Sequence, residues 1–169
     1  MSTRARRRSA ARLAAVQALY AVAVGGATIG DVLREILEGR LGGEALADVP
    51  DPDGLFEPRE EATPLAPADT LVLTQLGRGA AANMDRLDET IDACLSGEWS
   101  RGRLETLLRA ILRVAVYELT EMADIPPRVT ITEYVDLAGA FYDGPEVKLV
   151  NAVLDRIARE VHPDAFAAR

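Results

Sequence analysis

Apolar residues return at steps of three and four through most of this chain, and the pattern breaks off in one place. Over residues 4–24, Leu13, Val16, Leu19, Tyr20 and Ala23 fall on one face, which predicts an amphipathic helix stopped by Gly25-Gly26. Residues 29–40 read as a second, shorter helix with Val32, Leu33, Ile36 and Leu37 inward, and Thr28 with Asp31 makes a capping-box pattern at its start. A long helical segment runs from Pro67 to about Leu95, its stripe formed by Leu73, Leu76, Ala80, Met84, Leu87, Ile91 and Cys94, with a kink expected near Gly77 and Gly79. The turn "SGEWSRGR" leads into the strongly apolar helix 103–122, expected at the centre of the core. After "DIPPRV" the helical pattern restarts, with Thr130 and Glu133 as an expected capping box. "DGP" stops that helix, and Pro145 suits the first turn of the last one, 145–160. No run alternates with period two for long enough to predict a sheet. The fold class is therefore all-α, a compact bundle of about six to seven helices.

The break lies at 42–67, "GGEALADVPDPDGLFEPREEATPLAP". Five of the nine prolines stand here, with seven acids and one arginine. Proline removes a backbone donor and disfavours helix in the residue before it. The segment reads as an acidic surface loop with a packed turn around Leu55-Phe56.

Charge changes this picture. The formal net charge is -8, yet Arg4, Arg6, Arg7, Arg8 and Arg12 all precede the first acid, Asp31. Such segregation points to a polyanion partner for the basic end, while the acidic remainder repels nucleic acid over most of its surface. On a helix, Arg4, Arg8 and Arg12 align at i, i+4 and i+8, with Arg7 beside them and Arg6 to the other side. Like charges at that spacing repel, and they crowd a helix N-terminus where the macrodipole already disfavours cations. The cluster costs stability until an anion joins it. Guanidinium forks match phosphate bidentately and stack on bases, which is the form of an arginine-rich RNA-binding segment. The plain alternative is a basic tail in a chain that prefers arginine everywhere, since Lys148 is its one lysine. Arg101, Arg103, Arg109 and Arg113 form a second basic group. They either extend a phosphate track or lie on a solvated face paired with Glu105 and Glu118.

Enzyme chemistry finds little support. One cysteine, Cys94, excludes an internal disulfide and a cysteine-rich zinc site. Cys94 falls on an apolar stripe and reads as packing. The one histidine, His162, belongs to no nucleophile arrangement. Glu118, Glu121, Glu133 and Asp136 form a carboxylate group without the Glu-x-x-His spacing of a di-metal bundle. No phosphate-cradling GxxxxGK[ST] or dinucleotide GxGxxG motif is present. Trp99 reads as a packing residue at a turn. The N-terminus has the basic-then-apolar order of a signal peptide, but Gln17 and Tyr20 interrupt the apolar run, and no stretch is long enough to span a bilayer. A cytoplasmic protein without catalytic residues, cofactor, metal or membrane contact is expected.

Three stretches, "RRRSAARLAAVQALYA", "AILRVAVYELTEMADIPPRVTITEYVDLAGAFY" and "VNAVLDRIA", stand in the order found in NusB, and the chain resembles that bacterial antitermination family. The resemblance covers the first helix and most of 104–158. It implies an all-helical fold of two small subdomains, here 1–96 with the acidic segment and 97–169. It also implies a non-enzymatic RNA-binding protein that pairs with NusE, a ribosomal small-subunit protein. That pair binds single-stranded boxA-type RNA in nascent ribosomal transcripts and joins the RNA polymerase antitermination complex, which resists premature termination. By this resemblance Arg6, Arg7, Arg8 and Arg12 carry the arginine motif, and Tyr20 packs helix 1 onto the bundle; with Arg4 of the same cluster and Lys148 in the last helix, these arginines are the expected RNA-binding residues. The chain departs from the family in three places. Gly139 replaces a common lysine, Pro145-Glu146 an Asp-Ser pair, and Leu149 an aromatic able to stack on RNA. Segment 42–67 is also longer than the family usually shows. A protein-interaction scaffold with little RNA affinity is the competing reading. The RNA-binding half of a ribosomal RNA cytosine methyltransferase is a third, set aside because the chain leaves no room for a cofactor-binding domain. A homodimer and a monomer are both compatible with the sequence.

Overall fold

The computed structural model describes residues 2–42, 44–49, 59–64, 66–100 and 104–167. Among these residues seven α-helices form: α1 Thr3–Gly25, α2 Ile29–Leu37, α3 Thr70–Ala82, α4 Met84–Asp92, α5 Thr106–Glu121, α6 Pro127–Gly139 and α7 Pro145–Val161. Helix α1 begins where the Ser2 hydroxyl accepts from the Ala5 N–H at 3.2 Å. It ends where Gly26 takes a left-handed φ of 69° and its N–H returns to the Val22 carbonyl. The Thr28–Asp31 box caps α2 as expected, with Thr28 Oγ1 accepting from the Asp31 N–H and donating to the Asp31 carboxylate.

Helix α5 runs through the middle and packs against α1, α3, α4, α6 and α7. One continuous core joins Ala15 and Leu19 of α1, Leu73 and Leu76 of α3, Ile111 and Ala115 of α5, Tyr134 of α6 and Leu154 of α7. Burying a large aliphatic side chain in such a core stabilises the fold by roughly 1.5–3 kcal/mol.

Several expectations are corrected. Residues 44–49 and 59–64 are not loop but strands β1 (Glu44–Val49) and β2 (Arg59–Pro64), paired antiparallel from Glu44↔Pro64 to Val49↔Arg59. The ribbon escaped the pattern because it is short, acidic and proline-flanked; the register even sets Asp48 opposite Glu60. The turn expected at Leu55-Phe56 lies outside the described residues. The long third segment breaks at Asn83, not at its glycines. Those glycines serve packing: a Cβ on Gly79 would stand 2.0 Å from Tyr117 Cζ, and one on Gly77 3.0 Å from Leu33 Cδ2. Helix α6 starts at the Pro126-Pro127 step, so Thr130 and Glu133 are inside it and form no capping box. The core face of α1 is the alanine-rich one of Ala11, Ala15, Val16 and Ala18, while Ala23 and Tyr20 are exposed. Tyr20 is therefore not the packing anchor expected of it. Leu37, expected inward, is exposed as well.

Candidate nucleic-acid interface

The arginine helix divides by depth. Arg12 falls among Ala11, Ala15 and Val16, on the face that α5 and α6 cover, and is only 3% exposed. Its guanidinium meets Glu118, fully buried in the last turn of α5: Nε donates to both carboxylate oxygens at 3.1 and 3.0 Å, and Nη2 to Oε1 at 2.8 Å. Thr130 Oγ1 and Tyr134 OH, both from α6, donate to the same carboxylate at 2.9 Å each. Arg12 Nη1 also lies 3.3 Å from Glu133, which accepts from the Ser9 hydroxyl at 2.6 Å. A buried carboxylate is tolerated only with partners of this number and geometry. Burial by itself pushes the Arg12 guanidinium towards deprotonation, but the Glu118 hydrogen bond and charge outweigh it, and the pKa is held above its ordinary value. Burial, reinforced by Glu118, raises the Tyr134 phenol well above its ordinary value, so it stays protonated and donating.

Arg12 is thus a structural clamp joining α1 to α5 and α6, with its fork occupied by carboxylates. The sequence carried the signal. A lone cation interrupts the apolar face of α1, and a lone anion interrupts the run Val114, Ala115, Val116, Leu119 of α5. Helical spacing within one segment cannot show that the two meet.

The other four arginines are different. Arg4, Arg6 and Arg7 are exposed, and Arg8 is half-buried. Among the described residues none of the four makes an ion pair, and Arg8 Nε is buried without a hydrogen-bond partner. They also diverge around the helix. Arg4 and Arg8 line a groove whose opposite wall is the α5–α6 turn, with Asp124, Ile125, Pro126 and Val129, and whose floor holds Arg12 and Glu133. Arg7 lines a second groove, towards α3 and the root of the ribbon at Gly42 and Ala66. The Arg7 carbonyl accepts from the Asp69 N–H at 2.9 Å, which fixes this turn of α1 to the start of α3.

Lys148 is exposed in the first turns of α7. Helix α6 meets α1 through its first turns, where Val129 and Glu133 lie beside Arg4, Arg8 and Arg12, and α7 packs against α6. Leu149 is half-buried against the core, and Gly139 is exposed with nothing within 4 Å of where a Cβ would stand.

The second basic group is no phosphate track. Arg113 donates to both Asp88 oxygens at 2.8 and 2.7 Å, and Arg109 reaches Asp88 and Asp92 at 3.2 and 3.0 Å. The partners come from α4 rather than being Glu105 and Glu118, the pair suggested by proximity in sequence. Burial would raise the Asp88 pKa, but the two guanidiniums hold it below the usual carboxylate value. Arg101 and Arg103 lie outside the described residues. Glu121 pairs with Arg86 at 2.7 Å, so the carboxylate group read from the sequence is dispersed. Among the described residues no group of three or more His, Cys, Asp or Glu side chains is placed to hold a metal ion. His162 Nε2 lies 2.6 Å from the Leu119 carbonyl, tying the end of α7 to α5, and Cys94 packs partly buried, its thiol pKa raised by burial. No helix among the described residues is long and apolar enough to cross a membrane.

Comparison with known proteins places these features. Residues 9–159 match the NusB family. The transcription antitermination protein NusB of Rhodospirillum rubrum is 52% identical over 161 residues, covering 95% of this chain and 87% of that protein. The solved structure of T. maritima NusB superimposes with a TM-score of 0.69 at 28% identity, over 94% of this chain and 96% of that one. A crystal structure of antitermination factors NusB and NusE in complex with dsRNA matches in fold, with a TM-score of 0.67 at 24% identity over 92% of this chain and 98% of that one.

Proposed function

The chain belongs to the NusB family, and from that premise we propose that it is a transcription antitermination factor that binds RNA through the exposed arginines of α1. Arg4, Arg6, Arg7 and Arg8 supply the phosphate contacts. Arg12 holds their helix in place, and Lys148, exposed in the first turns of α7, adds a further contact. The partner is a NusE-type ribosomal protein, and the RNA is a single-stranded boxA-like element of nascent ribosomal transcripts. Assembly with RNA polymerase in the cytoplasm follows from that role, which needs no catalytic group and no cofactor.

The observation that carries this reading is the set of arginines without acidic partners on a helix clamped to the core. Desolvated, unpaired guanidinium is costly, and Arg8 Nε has no partner until an anion arrives. The acidic body keeps RNA off the rest of the surface and suits a basic ribosomal protein.

Fluorescence anisotropy with a labelled boxA-like RNA and a scrambled control, across salt and with or without NusE, tests the proposal. Partner-enhanced, sequence-selective binding is expected, with log K falling by roughly 0.7 per phosphate contacted as log salt rises. Equal binding of both RNAs in the presence of NusE would overturn it. That result would favour a protein-interaction scaffold, which Leu149, packed where an RNA-stacking aromatic is expected, already argues for.

A further inference from the structure

The groove between α1 and the α5–α6 turn holds more than cations. Opposite Arg4 and Arg8 stands an apolar wall, Pro126 and Val129, with Val129 44% exposed. At its edge Asp124 is exposed and, among the described residues, its side chain makes no hydrogen bond or ion pair. A groove for phosphate alone has no use for a carboxylate, which repels the ligand. Neither does charge balance account for it, since Glu118 and Glu133 already satisfy Arg12.

The three parts together match one nucleotide. Guanidinium groups take its phosphate, an apolar face takes the flat of its base, and an acceptor-only carboxylate takes N–H donors on the base edge. Single-stranded RNA exposes that edge, and recognition of splayed bases by stacking and edge hydrogen bonds is the common mode. Guanine is the base whose edge sets two donors, N1–H and the N2 amino group, side by side to meet both oxygens of one carboxylate.

We propose that this groove is a guanosine subsite, in which Arg4 and Arg8 hold the phosphate, Val129 and Pro126 carry the base, and Asp124 selects guanine. The assignment rests on the RNA-binding reading above, and it makes Asp124 the specificity residue of an interface otherwise built on charge.

The test uses the full chain with NusE and a panel of boxA-like RNAs, each position replaced in turn by all four bases, read by anisotropy. One position is expected at which guanine binds about tenfold tighter than the other bases, the discrimination of one good bidentate pair. Asp124→Ala is expected to abolish that preference while leaving affinity for the other three bases unchanged or higher. Thermal melting of the variant checks the fold, which an exposed side chain without partners should not disturb. Two results overturn the inference while sparing the RNA-binding reading. One is a wild-type protein that binds RNA with no guanine-selective position. The other is a variant whose affinity rises equally for every base. Failure of the wild-type complex to bind any of the RNAs overturns both.

Discussion

The two arginine groups of this protein have the same chemistry and opposite surroundings. On α5, Arg109 and Arg113 are half-buried and each meets carboxylates of α4, so their charge is spent on holding two helices together. On α1, Arg4, Arg6, Arg7 and Arg8 make no ion pair among the described residues, so their charge remains for a ligand. Arg12 stands on α1 but belongs in kind to the first group. What separates a binding cation from a structural one is therefore not the residue or its cluster, but whether the fold delivers an anion to it.

The sharpest way to break this comparison is within α1 itself. Arg12→Ala leaves Glu118 buried without its counter-charge and is expected to destabilise the fold by about 3–5 kcal/mol, read from urea denaturation. That is a large part of the stability of a domain this size. Next in effect, Asp88→Asn removes the acceptor shared by Arg109 and Arg113 and should cost about 2 kcal/mol by the same measurement. Because the Asp88 pKa is lower folded than unfolded, its contribution is complete above the ordinary aspartate value of 3.8. It is lost as pH falls through the folded value. The variant should therefore lose less stability than the wild type on acidification below about pH 4.

The triple variant Arg6→Ala, Arg7→Ala, Arg8→Ala is expected to melt as the wild type does, or slightly higher once the repulsion is relieved. Its RNA binding should weaken and the slope of log K against log salt should fall by about 2. Arg113→Ala is the matched control, with stability reduced and the salt slope unchanged; a shallower slope there would erase the distinction between the groups. The smallest effect belongs to Phe166, whose ring lies 4.9 Å from the guanidinium carbons of both Arg128 and Arg159. Phe166→Ala should cost about 1 kcal/mol or less, with no change in RNA affinity.

Local features of the fold were legible in the sequence. The Thr28–Asp31 cap, the glycine stop after α1 and the Pro145 start of α7 each depend on residues a few positions apart. The apolar stripe of Leu73, Leu76, Ala80, Leu87 and Ile91 also lies inward, because helical periodicity reports burial directly. Features set by distant contacts were not. Gly77 and Gly79 read as a kink because their role, admitting Leu33 and Tyr117, belongs to other helices. The strands 44–49 and 59–64 are made by pairing across an intervening segment, against weak local propensity. In the interface the basic cluster was plain from charge alone, whereas the separation of Arg12 from its neighbours required Glu118, 106 residues away.

That distance also has a meaning in time. Arg12 is synthesised early, and its counter-charge 106 residues later, which at ribosomal rates is about 5–20 s. Throughout that interval the first helix has its positive charges and lacks the carboxylate that would seat it. The amino-terminal half, residues 1–96, should therefore not hold its final arrangement as a nascent chain, and should lock only when α5 and α6 have emerged. An arrested chain from which Glu118 has not emerged is expected to be cut readily by protease along α1, and one from which Tyr134 has emerged to resist.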